Sequence, residues 1–147
     1  MYLGYQNGKI KFYTEEMLNP SFYELDRQEY TDKEYVLDGD EYVLKDEAWE
    51  EKQKQAERER IAKLFLTGAD VERGIYQAKG MDFDDIMAFV MANPPVGLDV
   101  KALKIELKAN NFYRGNPYVS AVGSLLGFTE EQLDKFFEDG NYEHLLK

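Results

Sequence analysis

The sequence predicts an α+β protein with an N-terminal antiparallel β-hairpin sheet, a long charged connecting helix and a small C-terminal all-α domain of about five short helices. Three observations predict it. Two turn-forming dipeptides lie between β-forming residues in the first third of the chain. A charged segment without Gly or Pro follows, and helix-capping residues then recur at short intervals. The predicted boundaries are 1–45 for the β-hairpin region, 46–66 for the connector helix and 67–147 for the helical domain.

The first hairpin is predicted around Asn7-Gly8, because both residues favour the positive φ angles of a type I′ turn. This turn pairs Tyr5 with Ile10 and Leu3 with Phe12, and strand alternation puts those four side chains on one face. The opposite face then carries Tyr2, Tyr13, Lys9 and Lys11. Tyrosine adds contact area at low entropic cost and keeps a polar tip, so Tyr2 and Tyr13 are predicted interface residues. The alternative is that the 14–30 segment covers this face.

A second hairpin is predicted around Asp38-Gly39, inside the short repeat EYVL…EYVL. This turn places Tyr35 opposite Tyr42 and Val36 opposite Glu41. Because an isolated hairpin is marginally stable in water, we expect the two hairpins to share one sheet of at least four strands.

The connector helix is predicted from its charge pattern. Asp46 and Glu47 suit its positive first turn, and its middle, EEKQKQAERER, is polar all round. A helix of this kind usually bridges two bodies through solvent. Trp49 and Ala56 are seven residues apart, but Lys63 interrupts the column, so a coiled coil is not expected.

The helical domain is predicted from its helix starts and stops. One helix runs over residues 69–79 and ends at Gly80, and the last begins with a capping box formed by Thr129 and Gln132. Three further helices begin at Asp82, Asp99 and Pro117. A final turn over residues 142–146 is expected to dock back on the domain.

The loop over residues 110–116 is the second predicted interface. It joins two helices and carries Phe112, Tyr113 and Arg114, and loops on rigid scaffolds often carry binding residues. The alternative is that Phe112 and Tyr113 fill the helical core.

The residues predict no catalytic, cofactor-binding or metal site, and the protein is not expected to be an enzyme. The chain has no Cys, and its single His, His144, lies in the final turn. Phosphate-binding glycine motifs do not occur. A calcium loop counted from Asp38 fails because its fifth, sixth and twelfth positions are Tyr42, Val43 and Trp49.

The charge of the chain disfavours direct nucleic-acid binding. Its net charge is −11 at pH 7 and its pI is about 4.6, so the surface repels phosphate backbones. Such charge is typical of a solvated surface and is also compatible with mimicry of DNA. No apolar stretch approaches the roughly 20 residues that span a bilayer, so membrane insertion is not expected. The protein is expected to stay in an aqueous compartment.

Several segments resemble small proteins of bacteriophages and prophages of Gram-positive gut bacteria, which are commonly encoded near tail-fibre or tail-tip genes. These segments are EYVL at 41–44, WEEKQK at 49–54, IAKLFLTG at 61–68 and LKANNFYRGNP at 107–117. The resemblance covers most of the chain in the same order of elements: a Tyr-rich β start, a charged helix and a short helical domain.

The resemblance implies a non-catalytic interaction protein of the phage tail region, either a virion component or an assembly factor for a fibre or baseplate. Its partners are then phage structural proteins, and its location is the host cytoplasm during phage production, the virion, or both. The alternative hypothesis, which follows from the acidic charge, is an inhibitor of a host defence nuclease of the anti-CRISPR or DNA-mimic type. Homo-oligomerisation stays open.

Overall fold

A computed structural model describes residues 1–146 of the 147-residue chain. It confirms the mixed α+β class, with antiparallel strands and six α-helices among the described residues. The chain divides between Ala56 and Glu57 into two compact units, named here unit 1 and unit 2.

A three-stranded antiparallel sheet begins unit 1. Asn7 and Gly8 both have positive φ angles, 53° and 78°, which confirms the predicted type I′ turn. The strands are ordered β2-β1-β3, with bounds β1 Tyr2–Gln6, β2 Lys9–Thr14 and β3 Arg27–Tyr30.

A β-bulge changes the register of the first hairpin. Tyr5 pairs with Ile10 as predicted, but β2 has one extra residue opposite the step from Gly4 to Tyr5. Gly4 therefore pairs with Phe12, and the predicted pairing of Leu3 with Phe12 is wrong. The bulge turns Phe12 to the face opposite Leu3, where a Cβ added to Gly4 would lie only 3.1 Å from the Phe12 Cβ. Glycine at position 4 makes room for that ring.

The second hairpin forms its own two-stranded sheet, so the prediction of one sheet of four or more strands is wrong. Its strands are β4, Tyr35–Asp38, and β5, Glu41–Leu44. The turn residues are Gly39 and Asp40, one position later than predicted. Only Gly39 has a positive φ angle, 68°, as in a type II′ turn.

This turn replaces the predicted cross-strand pairs of the second hairpin. Val36 pairs with Val43, and Tyr42 pairs with Leu37 instead of Tyr35. Apolar residues therefore face each other along the ladder, which stabilises this register.

The charged helix α1, Glu47–Ala62, is present and none of its residues is buried. The Asp46 carboxylate accepts a hydrogen bond from the Trp49 N–H at 2.9 Å and so caps the first turn. The predicted end near residue 66 is wrong, because the helix ends at Ala62.

A two-stranded antiparallel ribbon takes the place of the expected last helical turn. Strand β6, Phe65–Thr67, pairs with β7, Asn111–Tyr113. The Arg114 N–H donates to the Leu64 carbonyl at 2.8 Å and extends the pairing. The prediction of an all-α C-terminal domain is corrected accordingly. In a ribbon, successive side chains of each strand point to opposite sides, so every second one can be buried. A helix over the same residues would not give this alternation.

The predicted helix starts of unit 2 are confirmed. Thr67, Asp82, Asp99, Asn116 and Thr129 each accept a backbone N–H with their side chains. The helices are α2 Gly68–Lys79, α3 Phe83–Ala92, α4 Val100–Glu106, α5 Pro117–Leu125 and α6 Glu130–Asp139, followed by a 3-10 turn, Tyr142–Leu146.

One apolar core holds these helices together. Its most deeply buried side chains are Ile86, Val90, Leu103 and Phe136. The final 3-10 turn adds Leu145 to the same core, which confirms that this turn docks back on the helices. Burial of such side chains contributes about 1.5–3 kcal/mol each.

Candidate protein-interaction surfaces

Tyr13 lies between the two sheets of unit 1 instead of on an open face. Its ring is 5.7 Å from that of Tyr35 and 6.0 Å from that of Tyr42, measured between centroids. Its hydroxyl donates to the Lys33 carbonyl at 2.9 Å. The bulge in the first hairpin is the cause, because it pairs Tyr13 with the buried Leu3.

Tyr2 is half-buried beside an exposed neighbour that the sequence pattern did not single out. Its ring meets that of Tyr30 edge-to-face at 5.6 Å. Tyr30 belongs to the edge strand β3 and is exposed. Tyr2 therefore contributes to a partly open aromatic surface.

The 14–30 segment covers part of the first sheet, which was the alternative considered for its tyrosine face. The Tyr23 ring packs against Phe12 at 5.3 Å, and Phe22 packs on Tyr23 at 4.9 Å. Phe22 itself remains exposed. The exposure of Phe22 could not be predicted from the sequence, because residues in a turn follow no helix or strand periodicity that separates buried from exposed positions.

The 110–116 segment divides its two aromatic residues between core and surface. Phe112 is buried and meets Phe83 edge-to-face at 5.7 Å, as the core alternative predicts. Tyr113 points the other way because neighbouring strand residues face opposite sides. It is 50% exposed and lies 5.6 Å from the ring of Phe65, which is 53% exposed. Phe65 and Tyr113 are named here the ribbon pair.

Arg114 lies inside unit 2, contrary to the expectation of a loop residue open to a partner. Its side chain is 8% exposed. It donates to the Asp134 carboxylate at 2.8 Å and to the Ser120 hydroxyl at 2.9 Å. It also contacts the Glu130 carboxylate and thereby holds the pKa of that group below its usual range. The network ties the turn after β7 to α5 and α6.

The negative charge is concentrated in unit 1, which has 14 acidic and 7 basic residues, against 15 and 11 in unit 2. Several acidic residues of unit 1 are paired. Asp40 lies 3.2 Å from Lys11 and 3.3 Å from Lys9, and these hydrogen bonds, that of Lys11 foremost, lower the pKa of Asp40. Glu34 is similarly placed 3.4 Å from Lys45.

The final turn contains the single histidine. The His144 Nε2 lies 2.9 Å from an Asp139 carboxylate oxygen, and this contact lowers the pKa of Asp139. Within residues 1–146, no group of three or more His, Asp or Glu side chains is placed to hold a metal ion. None of the helices in that range is both long enough and apolar enough to cross a bilayer.

Comparison of the chain with protein-family models, with curated proteins and with solved structures finds no match. A functional proposal therefore depends on the surfaces of the chain and on the resemblance of its sequence segments. The ribbon pair brings two exposed aromatic rings of unit 2 into contact, and the exposed aromatic residues of unit 1 are Phe22 and Tyr30, the second beside the half-buried Tyr2.

Proposed function

We propose that the chain is a non-catalytic interaction protein of the phage tail region, acting as a virion component or as an assembly factor for a fibre or baseplate. The observation that carries the interaction role is the ribbon pair, Phe65 and Tyr113. Exposed aromatic side chains are the commonest energetic anchors of protein interfaces. The phage tail setting comes from the resemblance of the sequence segments.

The ribbon pair is held in place before any partner binds. Leu66 and Phe112 alternate with the pair and pack into the core beneath it. Backbone hydrogen bonds close both ends of the ribbon, from Arg114 to Leu64 and from Gly68 to Asn110, each at 2.8 Å. A pre-ordered surface loses little conformational entropy on binding, so less of the favourable contact free energy is offset by ordering.

A second contact region in unit 1 supports a protein with two partners. Phe22 and Tyr30 are exposed, and each ring is supported by a neighbouring tyrosine ring, Tyr23 and Tyr2 respectively. In this proposal unit 1 engages one tail protein and unit 2 engages another, with the unburied α1 as the connector.

The alternative, an acidic inhibitor of a host defence nuclease, draws support from the twofold acidic excess of unit 1. A DNA mimic needs unpaired carboxylates in ordered rows. The pairing of Asp40 with two lysines and of Glu34 with Lys45 reduces the free carboxylates available for such rows. We therefore favour the tail-protein role.

Two measurements test the proposal. Mass spectrometry of purified phage particles distinguishes a virion component from a transient assembly factor. Binding of the full chain to purified tail-fibre, tail-tip and baseplate proteins of the same phage is then measured with the double variant Phe65→Ser, Tyr113→Ser. Tyr76→Ser is the control, because Tyr76 is an exposed tyrosine of α2 outside the ribbon.

The double variant is expected to weaken binding at least tenfold, which corresponds to about 1.4 kcal/mol, whereas the control keeps the affinity. Absence from particles together with no binding to any tail protein contradicts the proposal. Binding to a nuclease that falls steeply with salt supports the alternative instead.

A further inference from the structure

A groove in unit 2 has walls of different chemistry. It lies between α3 and α4, is closed at one side by α2, and encloses about 460 Å³. Neither residue of the ribbon pair lines it. The groove is therefore a separate surface from the one on which the proposed function depends.

The α3 wall has an apolar row next to one acidic residue, Asp84. Phe83, Met87 and Met91 line it and recur every fourth residue, so they form one row along the helix. The neighbouring Ile86 and Val90 face the core. Met91 is 67% exposed and its side chain is open to a partner. Methionine is flexible and polarizable and adapts to the shape of a partner.

The opposite wall is basic. Lys104 and Lys108 line it and are also four residues apart, on α4 and the turn that continues it. In the described part of the chain neither ammonium group has a carboxylate at ion-pair distance. The nearby Glu106 carboxylate accepts from the Asn116 amide at 3.0 Å instead. Both ammonium groups are therefore available to acidic side chains of a partner.

Two acidic residues also line the groove, Glu72 on α2 and Asp84 on α3. The Glu72 carboxylate accepts the backbone N–H of Phe83 at 2.9 Å. Asp84 lies in the first turn of α3, where the helix dipole favours a negative charge. Among the described residues, neither Glu72 nor Asp84 lies at ion-pair distance from Lys104 or Lys108.

We propose that this groove binds an amphipathic α-helix of a partner protein that carries an acidic row beside an apolar row. Leu, Met or Phe side chains at i and i+4 of the partner pack on Met87 and Met91. Asp or Glu side chains of its adjacent row pair with Lys104 and Lys108. One turn of a helix rises about 5.4 Å, and both walls repeat once per turn, so one bound helix satisfies both rows together.

A display library of helical peptides tests the proposal on the full-length chain. The peptides are about 16 residues long, or about 24 Å of helix, with the residues of one face randomised. The selected binders are expected to carry Asp or Glu at i and i+4 next to an apolar row. A proline at the centre of a selected peptide is expected to abolish binding, because it breaks the helix.

Charge reversal tests the contribution of the basic wall to binding. The double variant Lys104→Glu, Lys108→Glu is expected to lower the affinity of the selected peptides at least tenfold. The matched control is Lys101→Glu, which changes the charge of the same helix outside the groove. Peptides in which the acidic row is exchanged for lysine are expected to restore binding to the double variant, which a merely destabilised protein does not do.

A polar substitution tests the contribution of the apolar wall. Met91→Ser is expected to weaken binding at least fivefold, while Ile105→Ser, at a side chain 70% exposed on α4 and outside the groove, leaves it unchanged. The thermal midpoint of each variant checks that the fold is kept.

Three outcomes overturn this inference. In the first, selection yields no binder, or yields binders without an acidic row. In the second, binding is insensitive to the changes at Lys104, Lys108 and Met91. In the third, the chain self-associates and Lys104→Glu, Lys108→Glu dissociates it, so that a second copy occupies the groove. None of these depends on phage particles, so the proposed tail role is tested separately.

Discussion

The Arg114 guanidinium and the Glu130 carboxylate are in contact, and they join the turn after β7 to the first turn of α6. Arg114 is almost fully buried, while Glu130 is largely open to solvent. The charge of the arginine is thus removed from water, and the carboxylates of Glu130 and Asp134 supply its compensation.

Replacing Arg114 is expected to destabilise the protein. Arg114→Met keeps most of the side-chain volume but leaves the Asp134 carboxylate and the Ser120 hydroxyl without their donor. The expected loss is about 1.5–3 kcal/mol in the free energy of unfolding. Urea denaturation measures it. Arg73→Met is the control, because Arg73 pairs with Asp70 at an exposed site, and a loss below about 0.5 kcal/mol is expected there.

The Arg114 contact also makes stability pH-dependent. Because the pKa of Glu130 is lower in the folded chain than its usual value of about 4.3, the ionised carboxylate stabilises the fold above that pH. This contribution is lost as the pH falls through the lowered pKa. The free energies of unfolding of the wild type and of Glu130→Gln are therefore expected to differ at pH 6 and to converge at acidic pH. Parallel curves over the whole range contradict this assignment.

Gly74 is expected to resist even the smallest enlargement. A Cβ at this position would lie 2.5 Å from the Phe136 Cζ, and the Phe136 ring cannot move aside because it is buried in the core. Alanine favours the helix by about 1 kcal/mol, but overpacking of this core outweighs that gain. Gly74→Ala is therefore expected to lower the free energy of unfolding by about 1–3 kcal/mol.

A double-mutant cycle checks the cause of this effect. If the clash with the Phe136 ring is responsible, Gly74→Ala costs less stability in a Phe136→Leu background than in the wild type. Equal costs in the two backgrounds point away from this contact.

The turn of the second hairpin distinguishes the observed register from the predicted one. Gly39 needs a positive φ angle, so Gly39→Ala is expected to cost about 1–2 kcal/mol of local stability. Asp38 is a strand residue without a positive φ angle, so Asp38→Ala is expected to change stability by less than about 0.5 kcal/mol. Hydrogen exchange of the β4 and β5 amides measures both effects. A large effect of Asp38→Ala instead indicates the type I′ register.

Helix starts were predictable from the sequence because their signals are local. Asp82 and Thr129 each accept the backbone N–H three residues later, and the residue types that can do so are few. The turn at Asn7-Gly8 was predictable for the same reason.

Pairing over long distances was not predictable in the same way. The segment around Phe65 continues a helical pattern, and only its partner β7, more than forty residues later, makes it a strand. The bulge beside Gly4 depends on space for the Phe12 ring, which no local pattern reports. Both differences affect the predicted interface residues. Tyr13 lies between the two sheets of unit 1, and Phe65 was not predicted as an interface residue.

The burial of Leu145 has a consequence for synthesis. The turn that carries Leu145 contacts α2 and α6, so the core of unit 2 lacks one of its side chains until residue 145 has left the ribosomal exit tunnel. The hairpins of unit 1 join neighbouring segments and can form much earlier on the nascent polypeptide. During translation, the apolar surface of α2 therefore stays partly uncovered until the turn over residues 142–146 has emerged.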